Sequence, residues 1–197
     1  MPRPKRQKQE LRKLITETAA EMFGHNGYHA VTVEQIANAL GISKPSIYYH
    51  FSSKDEILFE FGYISHKRAT DCLREIVTKD LPPKEKLKEA LGAHIDLLSF
   101  DTHKGPMLGL HLRFSMPKNY EAPIKALRKE YDALLRQIII DGIDQGVFKK
   151  TDPKIIGYIM AGAINFLPQW YSPEGQYSNE EIKQIMVDAL INGICES

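Results

Sequence analysis

Thr32-Val33-Glu34-Gln35-Ile36-Ala37-Asn38-Ala39-Leu40-Gly41-Ile42-Ser43-Lys44-Pro45-Ser46-Ile47-Tyr48-Tyr49-His50-Phe51-Ser52-Ser53-Lys54 is the stretch from which the rest of this chain is read. Thr32 with Gln35 three residues on makes a capping box: the hydroxyl accepts from a free amide, and the Gln35 side chain reaches back. The short helix that follows buries Ile36, Ala37 and Leu40. Gly41 stops it in the left-handed conformation, which glycine adopts at little cost. Ile42 plugs the turn. Ser43 caps a second short helix, and Pro45 is tolerated in its first turn, where an amide has no helical partner. Two short helices joined by a glycine turn have the grammar of a helix-turn-helix, whose second helix projects into a DNA major groove.

In that second helix Ile47 and Phe51 stand four residues apart and face the core. Lys44, Ser46, Tyr48, Tyr49 and His50 are left to point outward. Exposed aromatic rings beside a cation make a poor surface unless something covers them. Their hydroxyls and the His50 ring can donate to phosphate, and Lys44 can reach a guanine edge. On spacing alone the alternative is an ordinary helical hairpin whose tyrosines cap a core.

Charge points the same way. The 197 residues carry a formal net charge of only +1. Residues 1–54, however, hold eight Lys or Arg against four acids, a net +4, while the remainder holds eighteen against twenty-one, a net −3. A basic head on an acidic body suggests that one end meets a polyanion. Arg3, Lys5 and Arg6 precede the first helix, either as an arm entering a minor groove or as a solvated tail.

Working outward, Leu11, Leu14, Ile15, Thr18, Ala19, Met22 and Phe23 recur at helical spacing and mark one amphipathic helix, ended by Gly24 to Gly27. Ser53 to Glu56 reads as a second capping box, opening a longer helix through Ile57, Phe61, Ile64 and Ile76. Pro82-Pro83 breaks the chain. Helices are then expected over about 84–99, 107–114, from Ile124 to near Gly146, and from Lys154 to about Gln169. Asp152-Pro153 caps the last of these, and Ser178 to Glu181 boxes a final helix burying Ile182, Ile185, Met186, Ala189, Leu190 and Ile194. The fold class is all-α, with a helix-turn-helix domain over 1–53 and a helical body over 54–197. At roughly 150 residues per domain, this length accommodates both.

Other classes are excluded. Cys72 and Cys195 are too few and too scattered for a disulfide framework or a zinc site, which fits a reduced cytoplasm. The basic N-terminus lacks the apolar run of a signal peptide. The longest uncharged stretch, 155–172, has an apolar part shorter than the ~20 residues needed to span a bilayer, so no membrane partner is expected. No phosphate loop, nucleophile elbow or paired-carboxylate motif occurs, so neither an enzyme nor a cofactor is expected. His94, His103 and His111 lack metal-ligand spacing, so no metal site is assigned.

Thr32 to Lys54 resembles the DNA-binding signature of the tetracycline-repressor (TetR) family, most specifically in Tyr48-Tyr49-His50-Phe51 and Ser53-Lys54. The resemblance covers about residues 8–60. It implies an all-helical homodimer, each subunit with a three-helix DNA-binding head and a body that binds a small ligand. By the resemblance Thr32 is a phosphate-binding cap. Lys44, Pro45, Ser46 and Tyr48, after the cap Ser43, meet bases or thymine methyls. Tyr49 and His50 meet phosphates, and Lys54 binds phosphate with help from its helix dipole. The partner is double-stranded operator DNA.

Ile155, Ile156, Ile159, Met160, Ala163, Ile164 and Leu167 form a stripe, and Gly157, Tyr158, Ala161 and Gly162 cover much of the rest of that helix. A helix apolar all round is buried all round. It suits a four-helix dimer interface through Ile155, Tyr158, Ile159, Gly162, Ile182, Met186, Ala189 and Leu190. The alternative is a core helix of a monomer. The string Trp170-Tyr171-Ser172-Pro173-Glu174-Gly175 is similar to one in TetR-family regulators of fatty-acid or sterol-side-chain breakdown, whose effectors are acyl-CoA thioesters. A packed turn is the plainer reading of it. A long acyl chain needs an apolar tunnel, for which Phe61, Ile64, Leu97, Phe100, Met107, Leu108, Leu110, Phe114 and Phe166 are candidates, with His111, Asn165 and Trp170 as further ligand-binding candidates. Arg113 sits in an apolar segment and needs an anion, either a protein acid or an effector phosphate. The resemblance therefore implies a ligand-responsive regulator, a repressor released by a small hydrophobic effector such as an acyl-CoA. A drug-efflux regulator sensing cationic hydrophobes and a helical ligand-binding protein without DNA contact are the alternatives.

Overall fold

Among the described residues, three glycines with positive φ stand at 27, 41 and 146, at +86°, +62° and +68°. The first two stand at turns in the quoted stretch and its approach. The computed structural model describes residues 5–100, 115–172 and 174–195. Within them α1 spans Lys5–Asn26, α2 Val33–Ala39, α3 Lys44–Tyr48, α4 Lys54–Thr78, α5 Pro83–Phe100, α6 Lys118–Asp144, α7 Pro153–Asn165, α8 Leu167–Trp170 and α9 Asn179–Asn192. All regular elements among the described residues are helices, apart from an isolated antiparallel bridge between Phe148 and Cys195. No described helix is long and apolar enough to cross a membrane. The short helix expected over 107–114 lies outside the described residues.

Contacts divide the described residues into two units, 5–65 with 115–124 and 66–100 with 125–195. The division falls within α4, later than residue 53, because Ile57, Leu58 and Phe61 on its early turns are buried in the first unit's core. That core gathers Ile15, Ala19 and Phe23 of α1, Ile36 and Ala37 of α2, Ile47 of α3, and Phe51. Each large side chain buried there contributes roughly 1.5–3 kcal/mol. Leu14 and Ile64, expected inside, are exposed instead. The spacing that placed them tolerates a stripe one residue wider than the neighbours cover.

In the second unit α5 presents Leu87, Ala90, Leu91 and Ile95, at i, i+3, i+4 and i+8, to a core shared with α6, α7 and α9. The helix expected from 154 to 169 is broken after Asn165. Pro168 has no N–H for the Ile164 carbonyl and its ring crowds that position, so Phe166 caps α7 and α8 starts afresh. Ile185, expected in the core, faces outward, whereas Ile182, Val187 and Ile191 are buried. The Ser178–Glu181 capping box forms as read.

The end of α6 shows how tightly this core closes. The Gly142 carbonyl accepts both the Val147 and Phe148 amides, at 2.8 and 3.0 Å. A Cβ on Gly142 would stand 2.1 Å from the ring of Phe148, which is itself fully buried. Gly142→Ala is therefore expected to destabilise the protein by about 1–3 kcal/mol despite alanine's better helix propensity. Urea denaturation checks this, and an unshifted midpoint would show that the ring moves aside freely.

Candidate nucleic-acid interface and effector crevice

The caps that frame α2 and α3 are in place. Thr32 Oγ1 accepts from the Gln35 amide at 3.2 Å and donates to Gln35 Oε1 at 3.0 Å, and Oε1 also takes the Thr32 amide at 2.7 Å. Ser43 Oγ accepts from the Ser46 amide at 3.3 Å, and the two serine hydroxyls pair at 2.8 Å. Ile47 and Phe51 are buried as their spacing requires. Lys44 and Pro45 are exposed, Tyr48 is half-exposed, and Tyr49 is 70% exposed. The Lys8 ammonium sits 4.6 Å from the centre of the Tyr49 ring, a cation–π contact. Lys44 and Glu34 lie 3.9 Å apart as an exposed pair, which contributes little to stability.

One residue departs from expectation. His50, read as pointing outward, is only 8% exposed, with its ring edge-on to that of Tyr49. Past α3 the chain keeps turning, the His50 and Phe51 amides both bonding the Ile47 carbonyl, so His50, three residues after Ile47, shares its inward face. Lys54, read as a phosphate ligand, donates to the carbonyls of Tyr28 and Val31, at 2.9 and 2.8 Å. Two of its three donors are thus committed inside the head, and burial pulls its pKa down. Tyr28 donates its hydroxyl to Asp55, and burial first, then that carboxylate, raises the phenol above its ordinary range.

Ser53 Oγ accepts from the Glu56 amide at 3.1 Å, but the Glu56 carboxylate takes the amide and hydroxyl of Ser52, at 2.6 and 2.7 Å, rather than closing the expected box on Ser53. Burial pushes Glu56 up. Its bonds from Ser52 and Arg12 together more than offset this, so the carboxyl sits below its usual value.

In the second unit a narrow crevice opens between α4, α5 and α6, with Cys72, Ala90, Ala93 and Leu97 on its walls. It has room for about one water. Its polar members are His94 and Tyr131, whose Nδ1 and hydroxyl lie 3.0 Å apart. Burial pulls the His94 imidazole down to about 4, against the opposing effect of a hydrogen bond with Asn165. Burial also raises Tyr131, so both groups are neutral near pH 7. Sequence reasoning missed this pair. Nothing in the sequence brings residues 94, 131 and 165 together.

Of the ligand candidates among the described residues, Asn165 bonds His94 and Leu97 stands on the crevice wall. Phe61 packs in the head core, and Phe166 and Trp170 are exposed away from the crevice walls. Met107, Leu108, Leu110, His111, Arg113 and Phe114, and the side chain of Phe100, lie outside the described residues. Tyr171 packs on the core, and the Gly175 amide bonds the Ser172 carbonyl at 2.9 Å. Of the interface candidates, Ile155, Tyr158, Gly162 and Ala189 are exposed, Ile159 is 56% exposed, and Met186 and Leu190 are intermediate. Ile182 is corrected: at 8% exposure it belongs to its own chain's core. Among the described residues no three His, Cys, Asp or Glu gather as a metal site.

Residues 15–61 match the family described as bacterial regulatory proteins, tetR family, and residues 80–194 match the tetracyclin repressor-like C-terminal domain. The chain is 27% identical over 184 residues to a fatty acid metabolism regulator protein of Bacillus subtilis, covering 91% of this chain and 93% of that one. It is 28% identical over 190 residues to the transcriptional repressor KstR2 of Mycobacterium tuberculosis, covering 91% and 90%. A crystal structure of AibR, in complex with isovaleryl coenzyme A and operator DNA, shares the fold with a TM-score of 0.82 at 24% identity, covering 91% of this chain and 97% of that one.

The lowered His94 pKa has a consequence for stability. The unfolded chain takes up this proton near pH 6.5 and the folded chain only near 4. Stability from this residue is therefore complete above about pH 6.5 and is lost as pH falls toward 4. Replacing it, as His94→Gln, is expected to flatten the decline of melting temperature between pH 6.5 and 4. Parallel pH profiles for the two proteins would refute the assignment.

Proposed function

From the premise that this chain belongs to the TetR family of transcriptional regulators, we propose that it binds a palindromic operator as a homodimer, represses there, and is released by a small hydrophobic effector, a fatty acyl-CoA by preference. The observation that carries the DNA half is the surface of α3. Its apolar residues Ile47 and Phe51 are consumed by the core, yet it still displays Tyr48 and Tyr49 to solvent beside Lys44 and Lys8. Such a surface is stable in water but better covered, and a duplex supplies phosphates for the hydroxyls and base edges for Lys44. Thr32 contributes a hydroxyl at the N-terminus of α2, where amides and the helix dipole favour an anion.

The dimer half rests on α7 and α9. Ile155, Tyr158, Ile159 and Phe166, with Ile185 on α9, leave large apolar side chains uncovered on a single chain. Gly162 lies among them with open space where a Cβ would stand, which lets a second helix come close. We assign this surface to the homodimer, with Ala189 at its margin. Two heads held in this way must enter successive major grooves about 34–36 Å apart.

The effector half is supported by the relatives, one a regulator of fatty acid metabolism and one a fold neighbour solved with isovaleryl coenzyme A. Within this chain the crevice supports it too. Its walls are apolar, its polar pair is neutral, and none of its described lining residues is a carboxylate. An acyl chain entering between α4 and α5 would bind one position of α4 better than another. It would release DNA by that difference in affinity alone. Repression at an operator places the protein in the cytoplasm.

Three outcomes test this reading. Tyr49→Ala is expected to lower operator affinity about tenfold, as loss of one phosphate contact does, in a mobility-shift titration with DNA from the protein's own genetic neighbourhood. Unchanged affinity would overturn the interface. Ile159→Asp is expected to yield monomers in sedimentation, because a charge cannot be buried unpaired across a symmetric contact. A variant that stays dimeric would move the interface elsewhere. Native mass spectrometry of the freshly purified protein is expected to find a co-purified acyl species, and palmitoyl-CoA is expected to dissolve the shifted band; a band indifferent to acyl-CoA would discard that effector.

A further inference from the structure

The chain leaves α3 through His50, Phe51 and Ser52 before α4 begins, and one side chain from α1 holds all of this link. Arg12 is partly buried. Its Nη1 donates to the His50 carbonyl. Its Nε and Nη2 grip both carboxylate oxygens of Glu60, each at 3.0 Å, and Nη2 also reaches Glu56 Oε1 at 3.3 Å. The guanidinium plane lies over the Phe51 ring, 4.1 Å from its centre. The other oxygen of Glu56 takes the amide and hydroxyl of Ser52. The His50 carbonyl, the Phe51 ring and the Ser52 amide are thus fixed, directly or through one acid, by a single cation.

This arrangement changes what the charge of Arg12 is for. Counted in the sequence, it belongs to the basic head. In the structure two carboxylates surround it, so it is not offered to phosphate. A two-pronged arginine–carboxylate pair is directional, and a guanidinium is rigid where an ammonium is not. Its partners all lie just beyond the reading helix, in the link that follows α3 and the first two turns of α4. The angle at which α3 presents Tyr48 and Tyr49 is set where these meet.

We propose that Arg12 is the positioning residue of DNA reading: it touches no DNA, and by clamping α3 between α1 and α4 it determines how well the protein tells its operator from other duplexes. This role rests on the DNA-binding reading above. It requires that loss of Arg12 act on discrimination rather than on the number of phosphates neutralised.

The test uses the full-length protein, a duplex selected from a random pool by the wild type, and an unrelated duplex of equal length. Arg12→Gln is expected to reduce the ratio of the two affinities at least tenfold while leaving the slope of log affinity against log salt unchanged. In the free protein it should also speed hydrogen exchange of the Ser52 amide at least tenfold. Arg12→Lys should restore the ratio only in part, since an ammonium cannot hold both Glu60 oxygens and the His50 carbonyl in one plane. Glu60→Gln, which keeps the packing, should act in the same direction and carries the test if Arg12→Gln does not fold. A salt slope reduced by about one would mean a direct phosphate contact and overturn the proposal. So would an affinity ratio within twofold of wild type, full rescue by lysine, or an unchanged Ser52 exchange rate. If the wild type selects no duplex, the DNA-binding reading falls and this role with it. If it selects one that the variants read equally well, this role alone falls.

Discussion

A helix of five residues cannot sustain itself in water, because nucleation fixes more dihedral angles than its few hydrogen bonds repay. α3 exists because Ile47 and Phe51 are sunk completely into a core built by α1, α2 and the start of α4. Everything proposed for the head depends on that anchoring. With the inward face consumed, Tyr48 and Tyr49 are left exposed, and their identity becomes free to serve recognition. The caps at Thr32 and Ser43 and the turn at Gly41 then decide where the short helices begin and end.

Around this anchor the polar contacts of the head are mostly internal braces. Lys54 ties the start of α4 to two carbonyls of the segment after α1, Tyr28 closes on Asp55, and Arg12 gathers the link after α3. Groups that look like a cationic surface when counted along the chain are in part a scaffold. The surface proposed for a duplex is correspondingly small, centred on Lys44, Pro45, Tyr48 and Tyr49 with Thr32 at its edge. A small contact surface gains selectivity from being rigidly held.

The body follows a different logic. Its core is closely packed around Phe148 and the α5 stripe, but α7 keeps only part of its apolar surface inside. The outward remainder is what a second copy would bury. The crevice near His94 is barely large enough for a water, so the effector proposed above would have to separate helices to enter it. That is the kind of strain by which binding at one place alters another.

The head was legible in the chain because its signals are local. A capping box, a glycine at positive φ and an i, i+4 apolar pair act over a few residues and owe little to distant partners. Even there, His50 was misplaced, since an i+3 relation on so short a helix was read as outward, and the braces on Lys54 and Arg12 need partners tens of residues away. In the body, helical periodicity located most elements but not their faces. Ile182 and Ile185 look alike in a stripe; one is buried and the other exposed because of where α5 lies. The meeting of His94, Tyr131 and Asn165 is invisible in sequence for the same reason. Amino-acid order specifies which segments become helices and where they stop, since those are contests between neighbouring atoms. Which side of each helix meets water, and which distant polar groups share a proton, is settled by packing among helices that lie far apart along the chain.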